Sequence, residues 1–156
     1  MIREARVTLA GRTTRYLEAG AGRPIVLLHA FPLNADMWRP QLAQVPSGWR
    51  MVAPDLLGFG LSPRPSGSPP PTLDEAAGDV DGLMYALEIR AAVIVGLSMG
   101  GYVAFALFRR APQRVTGLVL ADTKAQADTQ EGREGRRKMI ALAQESGARG
   151  VADQML

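Results

Sequence analysis

Four short and nearly unbroken apolar runs limit what this chain can fold into: PIVLLHAF (Pro24 to Phe31), MVAPDLL (Met51 to Leu57), AAVIVGL (Ala91 to Leu97) and VTGLVLADT (Val115 to Thr123). A strand with one wet face alternates apolar and polar residues. Runs that do not alternate fit strands buried on both faces of a parallel sheet, which needs helices on either side. The opening ARVTLAGRTTRYLEAG does alternate on both sides of Ala10-Gly11-Arg12, so it reads as an antiparallel two-stranded start. Further on, Thr72-Leu73-Asp74-Glu75 fits a helix capping box. Leu73, Ala76, Val80, Leu83, Met84 and Leu87 then recur at helical spacing and give one apolar stripe to lay on the sheet. Asn34 is placed to cap another helix in ADMWRPQLAQV. Two strands followed by repeated strand-helix units make an α/β fold, with antiparallel opening strands and parallel units after them.

Composition narrows the function classes. The 156 residues include no cysteine and one histidine, which excludes disulfides, thiolate metal sites and multi-histidine metal sites; no metal and no cofactor is expected. The net charge of +3 comes from arginines scattered among acids. That is a solvated surface, not the concentrated basic face of a nucleic-acid binder. MIREARVTLAG lacks the apolar core of a secretion signal and no apolar run is long enough to span a bilayer, so the expectation is a cytoplasmic protein with no membrane partner. SPRPSGSPPP (Ser62 to Pro71) is an exposed spacer loop. From Lys124 onward the strand-helix rhythm stops, and the sequence is polar and helical in pattern through Met139, Ile140, Leu142 and Ala143. The expected domains are therefore a core over residues 1–123 and a separate helical segment over 124–156.

The chemistry is carried by GLSMGG. Ser98 stands between a buried-strand pattern and a helix pattern, flanked by Gly96 and Gly100. A sharp strand-to-helix turn there holds a serine in a strained backbone conformation, and a side chain at either glycine would collide across it. Met99 would begin the helix, with its N–H beside the Ser98 hydroxyl and the positive helix end behind it, which is half of an oxyanion hole. The competing structural role for Ser98 is a buried helix cap.

VGLSMGG after a hydrophobic strand resembles the nucleophile elbow of the α/β-hydrolase family. LLHAFPLNADMW resembles that family's oxyanion loop, APDLLGFGLSPRP its Asp-x-x-Gly-x-Gly-x-Ser loop (Asp55, Gly58, Gly60, Ser62), and RRAPQRVTGLVLADT the helix end and strand after the elbow. The resemblance implies a serine hydrolase, enol-lactonase or esterase-like, acting on a small carboxylic ester or lactone. Ser98 would be the nucleophile, and the Phe31 and Met99 N–H groups the oxyanion hole. Ala30 stands where the family has glycine. His29 falls in the oxyanion loop, where the family uses it to anchor backbone. The family's triad runs nucleophile, acid, histidine along the chain, and no histidine follows Ser98. Asp122 matches the acid position used by a minority of members; its competing role is to shape the turn into the cap. Because the family usually continues through a cap and two more strand-helix units, the resemblance implies the N-terminal part of a hydrolase core with the beginning of a helical cap. Such a fragment would lack the triad histidine and acid, be inactive alone, and self-associate through its open sheet edge. The alternatives are a non-catalytic binding or inactive fragment on the same scaffold, or a family member with other chemistry: a cofactor-free haloperoxidase, a C–C hydrolase or a lyase. Phe31, Trp38, Met99 and Tyr102 are candidates for an acyl pocket or for ordinary core.

Overall fold

The computed structural model describes residues 1–155, the side chains of residues 148 and 155 excepted. Strands β1 (Arg3–Leu9) and β2 (Arg12–Gly20) pair antiparallel with Leu9 opposite Arg12. Their turn has positive φ at both Ala10 (48°) and Gly11 (78°), the hand that matches strand twist. The apolar runs supply β3 (Arg23–Leu28), β4 (Trp49–Pro54), β5 (Ala92–Leu97) and β6 (Val115–Ala121). They join one six-stranded sheet in the order β1-β2-β4-β3-β5-β6, parallel from β4 to β6 and antiparallel at β2–β4.

The period of two along each strand divides the side chains between two cores. Val26, Leu28, Val52 and Ile94 face the side covered by α2 (Leu73–Ala86) and α3 (Met99–Arg110), where they meet Val80, Leu83, Met84, Val103 and Leu107. Leu17, Leu27 and Ala53 face the other side, against Ala35, Trp38 and Leu42. The capping box of α2 is formed in both directions: Thr72 N–H donates to Glu75 at 2.7 Å, and Glu75 N–H donates to Thr72 Oγ1 at 3.2 Å.

Three expectations change here. Asn34 does cap, accepting from Asp36 N–H at 2.8 Å, but what it caps is a 3-10 turn (Ala35–Trp38) followed by the single turn α1 (Arg39–Leu42). Pro40 has no N–H to carry a longer helix through this point. Strand β6 is the open sheet edge expected of it, but it is not buried on both faces as its apolar run suggested, with Val119 49% and Leu120 41% exposed. The fold class, an N-terminal part of a hydrolase sheet with only the start of a cap, is also corrected. Six strands are hydrogen-bonded in one sheet with a packed core on each face. The residues after it form a 26-residue helix, α4 (Gln130–Met155), broken at Gly147 (φ 65°, ψ −168°). Contacts divide the chain into Met1–Ala125 and a second unit from Gln126. Among the described residues, no helix is long and apolar enough to cross a membrane, and no cluster of three or more His, Asp or Glu could hold a metal ion.

Candidate active site

Each parallel strand delivers the residue after its last to the same edge of the sheet. The row, in spatial order, is Asp55 after β4, His29 after β3, Ser98 after β5 and Asp122 after β6. Burial falls along it. Asp55 and His29 are 1% and 0% exposed, Ser98 is half-buried and Asp122 is exposed. Solvent therefore reaches the outer pair and not the inner pair.

Ser98 alone separates β5 from α3, and it takes φ 51°, ψ −109° to do so. An L-residue in such a region costs ~1–3 kcal/mol and persists only where its surroundings fix it. They do so here. Ser98 N–H donates to the Ala121 carbonyl at 2.9 Å, and the Ser98 carbonyl accepts from Gly101 N–H at 3.0 Å and from Thr123 Oγ1 at 2.9 Å. The side chain makes no capping hydrogen bond, so the cap role does not describe this serine. A Cβ at Gly96 would lie 2.6 Å from the Gly100 carbonyl group, and one at Gly100 would meet the Leu28 carbonyl oxygen. The two glycines let β3, β5 and α3 converge beneath the serine.

Met99 is the first residue of α3, and its N–H is one of the first-turn donors that a helix leaves unpaired, with the positive helix end behind it. Leu28 and Gly96 are paired across β3 and β5; Phe31 and Met99 each lie three residues further on. The two backbone stretches that carry these N–H groups thus leave neighbouring strands at the same edge. Phe31 is 44% exposed, with its ring edge-on to Phe59 at 6.1 Å.

His29 is engaged through both ring nitrogens. Nε2 accepts Leu56 N–H at 3.0 Å, so the proton sits on Nδ1, which donates to the Ala30 carbonyl at 3.0 Å. Burial pushes its pKa below the ordinary histidine value, against the raising effects of the Ala30 hydrogen bond and the Asp55 charge. The ring is a neutral strut between two loops. Asp122 follows β6 with a left-handed backbone (φ 43°), between Ala121 and Thr123, both of which bond to Ser98. Trp38 belongs to the core beside Leu17 and Leu42, while Met99 packs partly on the opposite core. A small cavity lined by Thr14, Asp55, Leu56, Asp79, Val80 and Leu83 involves neither Ser98 nor Asp122.

The sequence reasoning missed Arg15. It is 3% exposed in β2, its guanidinium bonded to Asp36, Asp55 and Glu4 and its N–H donating to Ser62 Oγ at 2.9 Å. Its hydrogen bonds to Asp36 and Glu4 outweigh burial and raise its pKa. The available signal was a second arginine inside an alternating strand, where Arg12 and Arg15 fall on opposite faces.

The fold and this edge are those of the alpha/beta hydrolase fold, whose family model matches residues 23–152; the chain belongs to that family. It is 38% identical over 120 residues to a 2-hydroxymuconate semialdehyde hydrolase of Pseudomonas sp. strain CF600, covering 73% of this chain and 41% of that protein. Among solved structures it is similar to a thermophilic esterase from Thermogutta terrifontis (35% identity, TM-score 0.86, 98% of this chain and 57% of that one). A meta-cleavage product hydrolase from Pseudomonas fluorescens IP01 is also similar (33%, 0.72, 80% and 46%). An epoxide hydrolase of Caballeronia sordidicola and a haloalkane dehalogenase of Mesorhizobium japonicum are also similar, at 35% and 34% identity. The chain spans about two fifths of the length of the curated relatives it matches, 38% and 42% for two of them.

These findings correct the expectation of an inactive N-terminal fragment whose resemblance to the family ends near Thr123. The family match runs to residue 152, through most of the segment from Lys124, and the esterase superposition takes in 98% of the chain. What matches is an α/β-hydrolase enzyme domain. The expectation of an ester or lactone hydrolase widens to the family, since an esterase stands among the matches beside relatives of other chemistries.

Proposed function

We propose that this domain is a serine-nucleophile enzyme of the α/β-hydrolase family that acts on a small molecule at an electrophilic carbonyl carbon, in the manner of the C–C hydrolases among its relatives. The observation that carries the proposal is the strained Ser98 backbone with its hydroxyl left out of helix capping. Strain at a half-exposed serine flanked by two sterically required glycines has a use in presenting Oγ and little use in holding the fold. Ser98 Oγ adds to the carbonyl carbon as its O–H bond breaks, the proton passing to the Asp122 carboxylate directly or through a water. The N–H groups of Phe31 and Met99 take the oxyanion, each such donor being worth ~3 kcal/mol in the transition state. His29 holds the Phe31 loop and does not take the Ser98 proton, since both of its nitrogens are committed. Asp122 is assigned the carboxylate role, supported by its exposure and its place beside the Ser98 turn.

The named substrates of the relatives, 2-hydroxymuconate semialdehyde and 2-hydroxy-6-oxo-2,4-heptadienoate, give the compound class to try first. The full chain is treated with a fluorophosphonate and the adduct is located by mass spectrometry. Turnover of a 2-hydroxy-6-oxo-dienoate is followed by loss of its absorbance. Labelling at Ser98 and turnover, both lost in Ser98→Ala, are expected. Labelling that persists in Ser98→Ala removes the serine from the chemistry.

A cytoplasmic setting without nucleic-acid partners belongs to the same proposal. It is supported by arginines tied to carboxylates, as in Arg12–Asp79, Arg50–Glu18 and Arg114–Asp81. Self-association through the β6 edge is proposed from its exposed Val119 and Leu120. Size-exclusion chromatography with Val119→Lys tests it, a concentration-independent monomer being the contrary result.

A further inference from the structure

We infer that Arg15 is a positioning residue for the second oxyanion donor, acting through Asp55 and Asp36 on the segment 29–36 that carries the Phe31 N–H. The inference rests on the Ser98-centred function proposed above. The segment is fastened to the loop after β4 at both ends. At its start His29 Nε2 accepts Leu56 N–H at 3.0 Å, and at its end Asp55 Oδ1 accepts Ala35 N–H at 2.8 Å. Between these points the Leu33 N–H donates to the Ala30 carbonyl at 2.9 Å, closing a turn around Phe31. The second Asp55 oxygen accepts Leu61 N–H at 2.7 Å, so one carboxylate holds both loops.

Arg15 fixes that carboxylate in place. Its Nη1 lies 3.3 Å from each Asp55 oxygen, long for a charge-assisted bond, so the hold is chiefly the attraction of two charges that share a dry site. The backbone adds to it, since Asp55 N–H donates to the Arg15 carbonyl at 2.9 Å. The grip on Asp36 is closer and two-pronged, 2.9 Å from Nη1 and 3.0 Å from Nη2, and Nη2 also donates to Glu4 at 2.8 Å. Asp36 sits next to Ala35, and its N–H is taken by the Asn34 cap. Arg15 therefore holds the segment's end from two directions at once. The planar guanidinium can meet three carboxylates in a fixed fork, whereas an ammonium at the same position satisfies one or two of them. No contact joins Arg15 to Ser98, so its effect on the chemistry passes through the two aspartates.

The experiment compares Arg15→Lys with the parent full chain by amide hydrogen exchange and by the 15N–1H spectrum, with Ser98 phosphonylation kinetics alongside. In the variant the Ala35 and Leu61 amides are expected to exchange about tenfold faster, while Val26 and Ile94 in the core change less than about twofold. The Phe31 cross-peak should move. The limiting phosphonylation rate should fall about tenfold with the half-saturating reagent concentration unchanged, the signature of a displaced oxyanion donor. Exchange that rises equally at all these amides, or at none, overturns the inference. If Ser98 of the parent chain does not react, the proposed function fails on that arm, and the exchange and Phe31 arms still decide whether Arg15 places the segment. Should Arg15→Lys not fold, Asp36→Asn replaces it, with the same local pattern expected at smaller amplitude. A uniform rise there is again the overturning result.

Discussion

Ser98 occupies a backbone geometry in which glycine would rest more easily. Its φ of 51° and ψ of −109° are fixed by bonds to Ala121, Gly101 and Thr123, none of which uses its own side chain. Ser98→Gly is therefore expected to be more stable than Ser98→Ala by ~1 kcal/mol, the relief of strain exceeding the added chain entropy of glycine. Both variants lose the hydroxyl, so urea denaturation of the pair isolates the backbone contribution. Equal stabilities would mean that no strain is held at this residue. The glycine two residues on behaves oppositely. A methyl at Gly100 would run into the Leu28 carbonyl, which is backbone in a central strand and cannot swing aside, so Gly100→Ala should cost ~2 kcal/mol or more by the same measurement. The elbow was legible in the sequence because its constraints are local: a strand pattern, a helix pattern and two glycines within five residues.

At the scale of elements, the tie between the loops after β3 and β4 passes through the chain's only histidine. His29 is buried and neutral, with its pKa lowered by burial, so below the ordinary value the unfolded chain takes up a proton that the folded chain refuses. Stability then rises with pH across the interval between the folded and unfolded pKa values. Its slope is at most ~1.4 kcal/mol per pH unit and it levels off above about pH 7. His29→Gln keeps an acceptor for Leu56 N–H and cannot titrate; urea midpoints at pH 5, 6 and 7 should lose this slope in the variant. A slope retained in His29→Gln would contradict the neutral strut. The α2 capping box was also legible, since both partners lie within one turn, whereas the single helix expected after Asn34 is interrupted where Pro40 has no N–H to continue it. Arg15 illustrates the opposite limit. Its partners Asp36 and Asp55 lie 21 and 40 residues away, and only the sheet order that sets β2 beside β4 brings them together.

For the whole molecule, charge pairing predicts how the fold fails in acid. Hydrogen bonds from Arg15 lower the pKa of Glu4 and Asp36, and those from Arg3 and Arg50 lower Glu18 although burial alone would raise it. These carboxylates contribute stability that is present above their unfolded values, near ~4, and lost as pH falls through their lower folded values. Asp79, raised by burial against the pull of Arg12, has the opposite sign and offsets part of the loss. The urea midpoint should accordingly drop between pH 5 and pH 3, and drop less in a variant carrying Glu4→Gln and Asp36→Asn. An unchanged acid limb in that variant would mean the pairs add nothing. Sheet order and the exposure of the β6 faces depend on how distant segments meet, which no local pattern in the chain records. The burial gradient along Asp55, His29, Ser98 and Asp122 has a consequence for how such a domain can change. Replacements at positions 29 and 55 disturb the struts between loops and are screened first by folding. Replacements at 98 and 122 meet water, and the strands that present them are set by other residues. New reactivity can therefore be exchanged at one half of the rim while the other half preserves the scaffold, which makes the outer pair the place to begin when redesigning what this domain acts upon.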